Sequence, residues 1–195
     1  MGSTIGAPRI LGKRLSGKDR QAALASAKGA CSECGMPSRS HLEAVEHDGK
    51  HVALCPFCFV AESIERGEGK GRLIWCPELT QAQLNNLVVA CWLAKAQGEK
   101  RGVAADGILA QLYAKHYDIE DIMFDGASYP AKMAQALRGI SPDLYKKRSA
   151  FLGSVRFLPA EKAYSRLIDS WKETEWMAIG EEVWSALYES ARRIK

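Results

Sequence analysis

The stretch CSECGMPSRSHLEAVEHDGKHVALCPFC, residues 31–58, decides the fold of the first third of the chain. It holds two C-x-x-C pairs, Cys31/Cys34 and Cys55/Cys58, with twenty residues between them. A C-x-x-C turn directs two sulfurs at one ion, and zinc prefers four tetrahedral thiolate or imidazole ligands. We therefore expect these four cysteines to bind one structural zinc ion, in a closed site that leaves no position for water or substrate.

The residues around the two cysteine pairs predict a small α+β unit. HLEAVEH and KHVALC have the pattern of two short strands joined at Asp48–Gly49, a dipeptide that favours a tight hairpin turn. An alanine-rich segment, 17–30, predicts a helix that leads into Cys31, and FVAESIERG predicts another helix that ends at Gly67. The expected order is helix, cysteine turn, hairpin, cysteine turn, helix.

Length and composition indicate a globular protein of the cytoplasm. The chain has 195 residues, of which 47% are hydrophobic and 26% are charged. No apolar run approaches the roughly 20 residues needed to span a bilayer, so we expect no membrane insertion.

Disulfides are rare in cytoplasmic proteins, so the six cysteines are expected to be reduced. Cys76 and Cys91 stand alone among apolar residues and are predicted to lie in the core.

Positive charge is concentrated at the N-terminus. Residues 1–30 carry six basic residues and one acidic residue, a net of +5, while the whole chain carries +4. Such a segment is either a flexible solubilising arm or a contact for nucleic acid, acidic lipid or an acidic protein tail.

We divide the chain into a basic, flexible arm at 1–17, a zinc-binding unit at 18–75 and a helical body at 76–195. The helical body is expected to pack on the zinc unit as one globule.

Apolar spacing predicts that the helical body makes the fold mostly α. Thr80 and Gln83 form a T-x-x-Q capping box at the start of a strongly periodic helix. Further helices are expected at 102–117, 130–138, 142–152, 159–178 and 180–194.

Aromatic residues of the C-terminal part are expected to build a core. The alternative is a groove for a partner, since aromatic residues are enriched at binding hot spots. They are Phe151, Phe157, Tyr164, Trp171, Trp176, Trp184 and Tyr188.

Two alternative roles for the cysteine unit follow from the same residues. A redox role is disfavoured because neither C-x-x-C pair lies near a βαβ pattern.

The order of elements also resembles the zinc-braced HNH endonucleases. That resemblance implies a general-base histidine, together with Asn and His ligands for a catalytic metal. The histidines near the hairpin are His41, His47 and His51. His47 could serve as a base, but Asn85 and Asn86 lie outside the unit and Phe59 occupies the position where these enzymes commonly place a histidine. We therefore predict an HNH-like scaffold with no catalytic residues.

Two further segments carry a resemblance to one family. GRLIWCPELTQAQLNNL, 71–87, follows the cysteine unit and a glycine-rich loop, and SVRFLPAEKAYSRLIDSW, 154–171, follows nearer the C-terminus. Together with the cysteine pairs, these segments resemble the IcmJ/DotN family of the Dot/Icm-type (type IVB) secretion systems. The order of features agrees over about residues 20–176.

The resemblance implies a non-enzymatic subunit with an HNH-like zinc fold. Members of that family belong to the coupling complex that passes substrates to the secretion channel, and they bind the C-terminal region of the coupling ATPase. The expected partners are therefore a DotL-like ATPase tail and other adaptors of the complex, with recruitment from the cytoplasm to the inner membrane through the ATPase. A divergent metal-dependent nuclease or a DNA-binding protein is the alternative function, and nucleic acid is a less favoured partner.

Overall fold

The computed structural model describes residues 13–38, 41–47, 49–96 and 98–172. The strands are β1 Lys13–Arg14, β2 Glu43–His47, β3 Lys50–Leu54, β4 Gly71–Trp75 and β5 Val155–Pro159. The helices are α1 Gly17–Ser26, α2 Pro56–Glu62, α3 Gln81–Lys95, α4 Glu99–Ile122, α5 Pro130–Gly139, α6 Pro142–Lys146, α7 Ser149–Leu152 and α8 Ser165–Lys172. Short 3-10 turns cover Ile64–Gly67 and Glu161–Tyr164. The predicted class, α+β and mostly α, is confirmed.

The predicted hairpin forms the centre of the first sheet. β2 and β3 pair antiparallel, with Val45 opposite Val52 and His47 opposite Lys50. Gly49 has a φ of +73°, a conformation that glycine adopts without the steric cost other residues carry. β1 adds a third strand on the open edge of β2. Lys13–Arg14 belong to the arm expected at 1–17, and pairing with β2 gives these two residues an extended backbone.

The second sheet joins two strands that are far apart in the sequence. β4 pairs antiparallel with β5, with Leu73 opposite Phe157. We expected the segment around 159 to begin a long helix at 159–178. The structure instead ends β5 at Pro159 and begins α8 only at Ser165. A pairing partner some eighty residues away stabilises this strand, and local periodicity carries no signal of such a partner.

Two predicted helices differ from the structure, and burial explains both differences. α4 extends beyond the expected 102–117 because Ile119 continues its buried face. The helix expected at 142–152 is split into α6 and α7, which together bury only Leu152 and so have little packing energy to stabilise one continuous helix. The helix expected at 180–194 lies outside the described residues, as do Trp176, Trp184 and Tyr188.

Helix α3 lies at the centre of the larger core. Its capping box is present as predicted, with Thr80 Oγ1 accepting from the Gln83 amide at 3.1 Å. Cys91 and Trp92 of α3 are buried in the same cluster as Phe57 of α2 and Trp171 of α8. The Phe57 ring makes edge-on contacts with both tryptophans, each with ring centroids 5.8 Å apart. The cysteine unit and the helices that follow it therefore share one apolar core.

A second, smaller core lies on the other side of the α2 and β4 segments. It buries Ile64, Leu73, Met133, Leu152 and Phe157, so it joins α5 and α7 to the second sheet. Within the described ranges, no helix is long and apolar enough to cross a bilayer.

Candidate metal centre

The hairpin brings the two cysteine pairs together, as the sequence predicts. Cys31 and Cys34 lie in the turn after α1, where Gly35 adopts a φ of +72° and donates to the Cys31 carbonyl at 2.9 Å. Cys55 is the N-cap of α2 and Cys58 lies in the first turn of that helix. The four Sγ atoms all lie within 4.8 Å of one another. Among the described residues, this is the one group of cysteine, histidine and acidic side chains placed closely enough to bind a metal ion.

The spacing of the sulfur atoms fits tetrahedral coordination of one metal ion. Four thiolates at the usual Zn–S distance of about 2.3 Å are about 3.8 Å apart along each tetrahedral edge. Cys34 Sγ and Cys55 Sγ are separated by 3.7 Å, which is far longer than a disulfide bond. Imidazole and carboxylate ligands are absent from the group, so the donor set is purely thiolate and suits a soft or borderline cation. The four cysteines can thus bind one metal ion.

The electrostatics of the four sulfurs favour binding of a cation. Hydrogen bonds from the thiol of Cys34, and then from Cys55 and Cys58, lower the pKa of Cys31. Burial raises the pKa of Cys55, and the hydrogen bond to Cys31 raises the pKa of Cys58. A metal ion would displace the thiol protons of the cluster and allow all four sulfurs to ionise.

Backbone N–H groups already point at the sulfurs. The Cys55 amide donates to Cys31 Sγ at 3.2 Å, and the Cys58 amide donates to Cys55 Sγ at 3.5 Å. Both Cys55 and Cys58 also lie at the N-terminus of α2, where the helix dipole favours negative charge. These groups partly offset the negative charge that four thiolates bring into a buried site.

A buried chain of side-chain amides links the cysteines to the second sheet. Asn85 Nδ2 donates to Cys58 Sγ at 3.1 Å, and Gln81 Nε2 donates to Asn85 Oδ1 at 2.8 Å. Gln81 also bonds both backbone groups of Phe157, each at 2.8 Å. Asn85 is fully buried and Gln81 is nearly so. The neighbouring Asn86 donates to the Cys34 carbonyl at 3.2 Å and supports the other cysteine turn.

The sequence interpretation missed these amides because it placed Asn85 and Asn86 outside the cysteine unit. They are distant from the unit in sequence but adjacent to it in space, because α3 packs against α2. A signal was present in the sequence. Gln81 and Asn85 have i, i+4 spacing and Asn85 falls on the apolar face of α3, where an uncompensated amide is costly. A polar residue on such a face implies a buried hydrogen-bond partner.

The three histidines lie outside the group of four cysteines. His47, the candidate base, is 4% exposed, and its Nδ1 lies 3.0 Å from Oε2 of the buried Glu62. His41 and His51 are exposed, and His51 lies 3.8 Å from Asp19. None of the three belongs to the metal-binding group found among the described residues.

The position expected to hold a catalytic histidine has another role here. Phe59 is buried, and the guanidinium groups of Arg14 and Arg66 lie 4.9 Å and 5.1 Å from the centre of its ring. These are cation–π contacts that hold β1 and the Ile64–Gly67 turn against α2. The two remaining cysteines, Cys76 and Cys91, are buried as predicted, and burial raises their pKa values to about 11 and about 12.

Comparison with known proteins identifies the relationship. No family model matches the chain. The type 4 apparatus protein DotN of Legionella pneumophila is 28% identical to it over 155 residues, and the match covers 72% of this chain and 72% of DotN. DotN is a homologue of this chain. The resemblance to the IcmJ/DotN family seen in the sequence is confirmed.

Proposed function

We propose that Cys31, Cys34, Cys55 and Cys58 bind one structural zinc ion. The tetrahedral spacing of the sulfurs and their all-thiolate character support zinc. The four residues would hold the ion between the turn after α1 and the N-terminus of α2, and a closed four-cysteine site leaves no position for substrate. Metal analysis of freshly purified protein should give about one equivalent of zinc, and less than about half an equivalent would contradict a structural site.

The organisation of the chain is part of this proposal. The zinc-binding, HNH-like unit at 18–75 and the helical body from 76 onward form one globule, preceded by a basic arm at 1–17 of which Lys13–Arg14 join the first sheet. Phe57 and Cys58 of the zinc-binding unit share one apolar core with Trp92 and Trp171 of the helical body. This shared core supports packing of the two parts as one globule.

We propose that the protein is a non-enzymatic adaptor in the coupling complex of a type IVB secretion system or a related conjugation system. It would bind the C-terminal region of the coupling ATPase and, through that contact, be recruited from the cytoplasm to the inner membrane. The observation that carries the proposal is the relationship to DotN over 72% of both chains. The cysteine unit supports it, because its expected function is structural.

A nuclease, the alternative from sequence, gains no support from the geometry. The candidate base His47 is buried against Glu62, so it has no open path to an attacking water. Phe59 lies under two arginines and brings no metal ligand. The test is incubation with plasmid DNA and magnesium or manganese. We expect no metal-dependent cleavage by the wild-type protein that is lost in His47→Ala.

Co-purification tests the adaptor directly. The full chain is expressed with the C-terminal region of the coupling ATPase from its own secretion locus, with a tag on the ATPase region. We expect a stable complex at micromolar concentration. If no ATPase tail from that locus binds the zinc-loaded protein, the adaptor function is wrong.

A further inference from the structure

One exposed side of α4 is unusually apolar. Of the large hydrophobic residues exposed in the described chain, most lie on this helix, and Val103 and Tyr117 are 68% and 63% exposed. Tyr113, 48% exposed, shares their side of the helix by its 3.6-residue period. Between them, Gly107 and Ala110 are exposed and small. The result is a largely apolar strip about 21 Å long, with bulky ends and a shallow middle, interrupted on the same side of the helix by the exposed Asp106. We call Val103, Gly107, Ala110, Tyr113 and Tyr117 the α4 strip.

The aromatic end of the α4 strip is held in place before any partner binds. The His116 ring contacts both tyrosines, with centroids 4.7 Å from Tyr113 and 3.9 Å from Tyr117. His116 is itself fixed, because its Nδ1 lies 2.7 Å from the Tyr113 carbonyl and the side chain is buried. Ordered tyrosines lose little conformational entropy on binding, which is a property of interface hot spots.

Acidic residues flank the same end of the strip. Asp118 and Asp121 are exposed in the last turns of α4, and within the described ranges no cation pairs with either of them. Acidic side chains at a helix C-terminus interact unfavourably with the helix dipole, and the last turn of α4 has no basic residue to offset them. Helix stability therefore does not explain these two aspartates. Asp106, by contrast, is already paired with Lys95 at 3.1 Å.

We propose that the α4 strip is the docking surface for an amphipathic, cationic helix of the coupling ATPase tail. The shallow middle at Gly107 and Ala110 allows the backbone of a second helix to approach closely. Val103 and the two tyrosines contact its apolar side, and lysines or arginines on that helix pair with Asp118 and Asp121. This inference rests on the adaptor function proposed above, and it specifies the surface and the chemistry of the bound segment.

Binding of the ATPase tail to variants of the full, zinc-loaded chain tests the surface. Ala110→Arg places a long charged side chain in the middle of the strip, and arginine keeps the helix because its helix propensity is high. We expect this change to weaken tail binding by at least about tenfold. The matched control is Gln135→Arg, which adds the same side chain at an exposed position of α5 and should change affinity by less than about twofold. Circular dichroism and melting curves confirm that both variants fold.

A second pair of measurements tests the charge of the partner. Asp118→Asn combined with Asp121→Asn should weaken binding several-fold at low salt and flatten its salt dependence, because screening acts on the removed attraction. Unchanged affinity in both this variant and Ala110→Arg would overturn the docking surface while the adaptor function stands. No binding of the tail to the wild-type chain would overturn the adaptor function and this surface with it. A wild-type dimer that Ala110→Arg dissociates would show that a second copy of the chain occupies the strip, and would also overturn the proposal.

Discussion

The side-chain amide of Asn85 donates a hydrogen bond to the sulfur of Cys58 across 3.1 Å. Asn85 lies on α3 and Cys58 on α2, so the bond connects the cysteine unit to the helical body. A hydrogen bond to a metal-bound thiolate disperses its charge and fixes the ligand in place, and such supporting contacts affect metal affinity strongly. Asn85 therefore has the geometry of a residue that supports the metal centre from outside the C-x-x-C motifs.

Replacement of Asn85 should weaken metal binding. Asn85→Leu keeps the size of the side chain and removes its donors, and we expect metal affinity to fall about 10- to 100-fold. Competition with a chromophoric chelator measures the change, and the cobalt-loaded protein reports ligand geometry through its visible absorption. The matched control is Asn86→Leu, which loses a bond to the Cys34 carbonyl rather than to a sulfur. If the two variants lose affinity equally, the bond to Cys58 has no special role.

Loss of one cysteine should unfold the chain rather than merely reduce its metal content. In Cys55→Ser the binding free energy of a structural ion is lost from the folding free energy, so we expect destabilisation by more than about 4 kcal/mol. Thermal unfolding and zinc analysis measure both effects. Cys91→Ser makes the same chemical change in the buried face of α3 and should keep about one equivalent of zinc. A Cys55→Ser protein that melts like the wild type would exclude a structural metal.

The two histidines of the hairpin should differ in their effect on stability. His47→Ala leaves Glu62 buried without the imidazole 3.0 Å away, which should cost about 3 kcal/mol. His51→Ala removes an exposed side chain and should change the free energy of unfolding by less than about 0.5 kcal/mol. Urea denaturation of the zinc-loaded proteins provides the comparison. Equal stability of the two variants would show that the buried pair contributes nothing.

Two glycines should respond to alanine in opposite directions. A Cβ at Gly71 would lie 2.2 Å from the Leu158 carbonyl oxygen, so Gly71→Ala must separate β4 from β5 and should cost about 3 kcal/mol. Gly107 lies in the exposed part of α4 with no atom within 4 Å of the added carbon, so Gly107→Ala should stabilise the fold by up to about 1 kcal/mol. Melting temperatures distinguish the two results, and a neutral Gly71→Ala would contradict the close packing of the sheet.

Local patterns in the sequence were sufficient to predict the four-cysteine group and the hairpin. The C-x-x-C spacing and the Asp48–Gly49 turn act over a few residues, and the structure has both the cysteine group and the β2–β3 pairing. The capping box at Thr80 is local in the same way.

Local patterns of this kind do not predict contacts between segments that are distant in the sequence. β5 exists because β4 pairs with it, and Asn85 reaches Cys58 because α3 packs on α2. The burial of His47 beside Glu62 joins residues of two different elements, β2 and α2. Each of these features depends on where a distant segment lies, whereas helical or strand periodicity describes one segment at a time.

The contact between Gln81 and Phe157 has a further consequence for assembly. The outer edge of β5 would otherwise present the backbone N–H and C=O of Phe157 to any extended chain that approached it. The Gln81 amide occupies both groups and so takes the place of a neighbouring strand. At this residue the second sheet cannot recruit a strand from another molecule. A partner that binds this protein must therefore use side chains there rather than strand addition, and the same amide protects the sheet from edge-to-edge aggregation at this position.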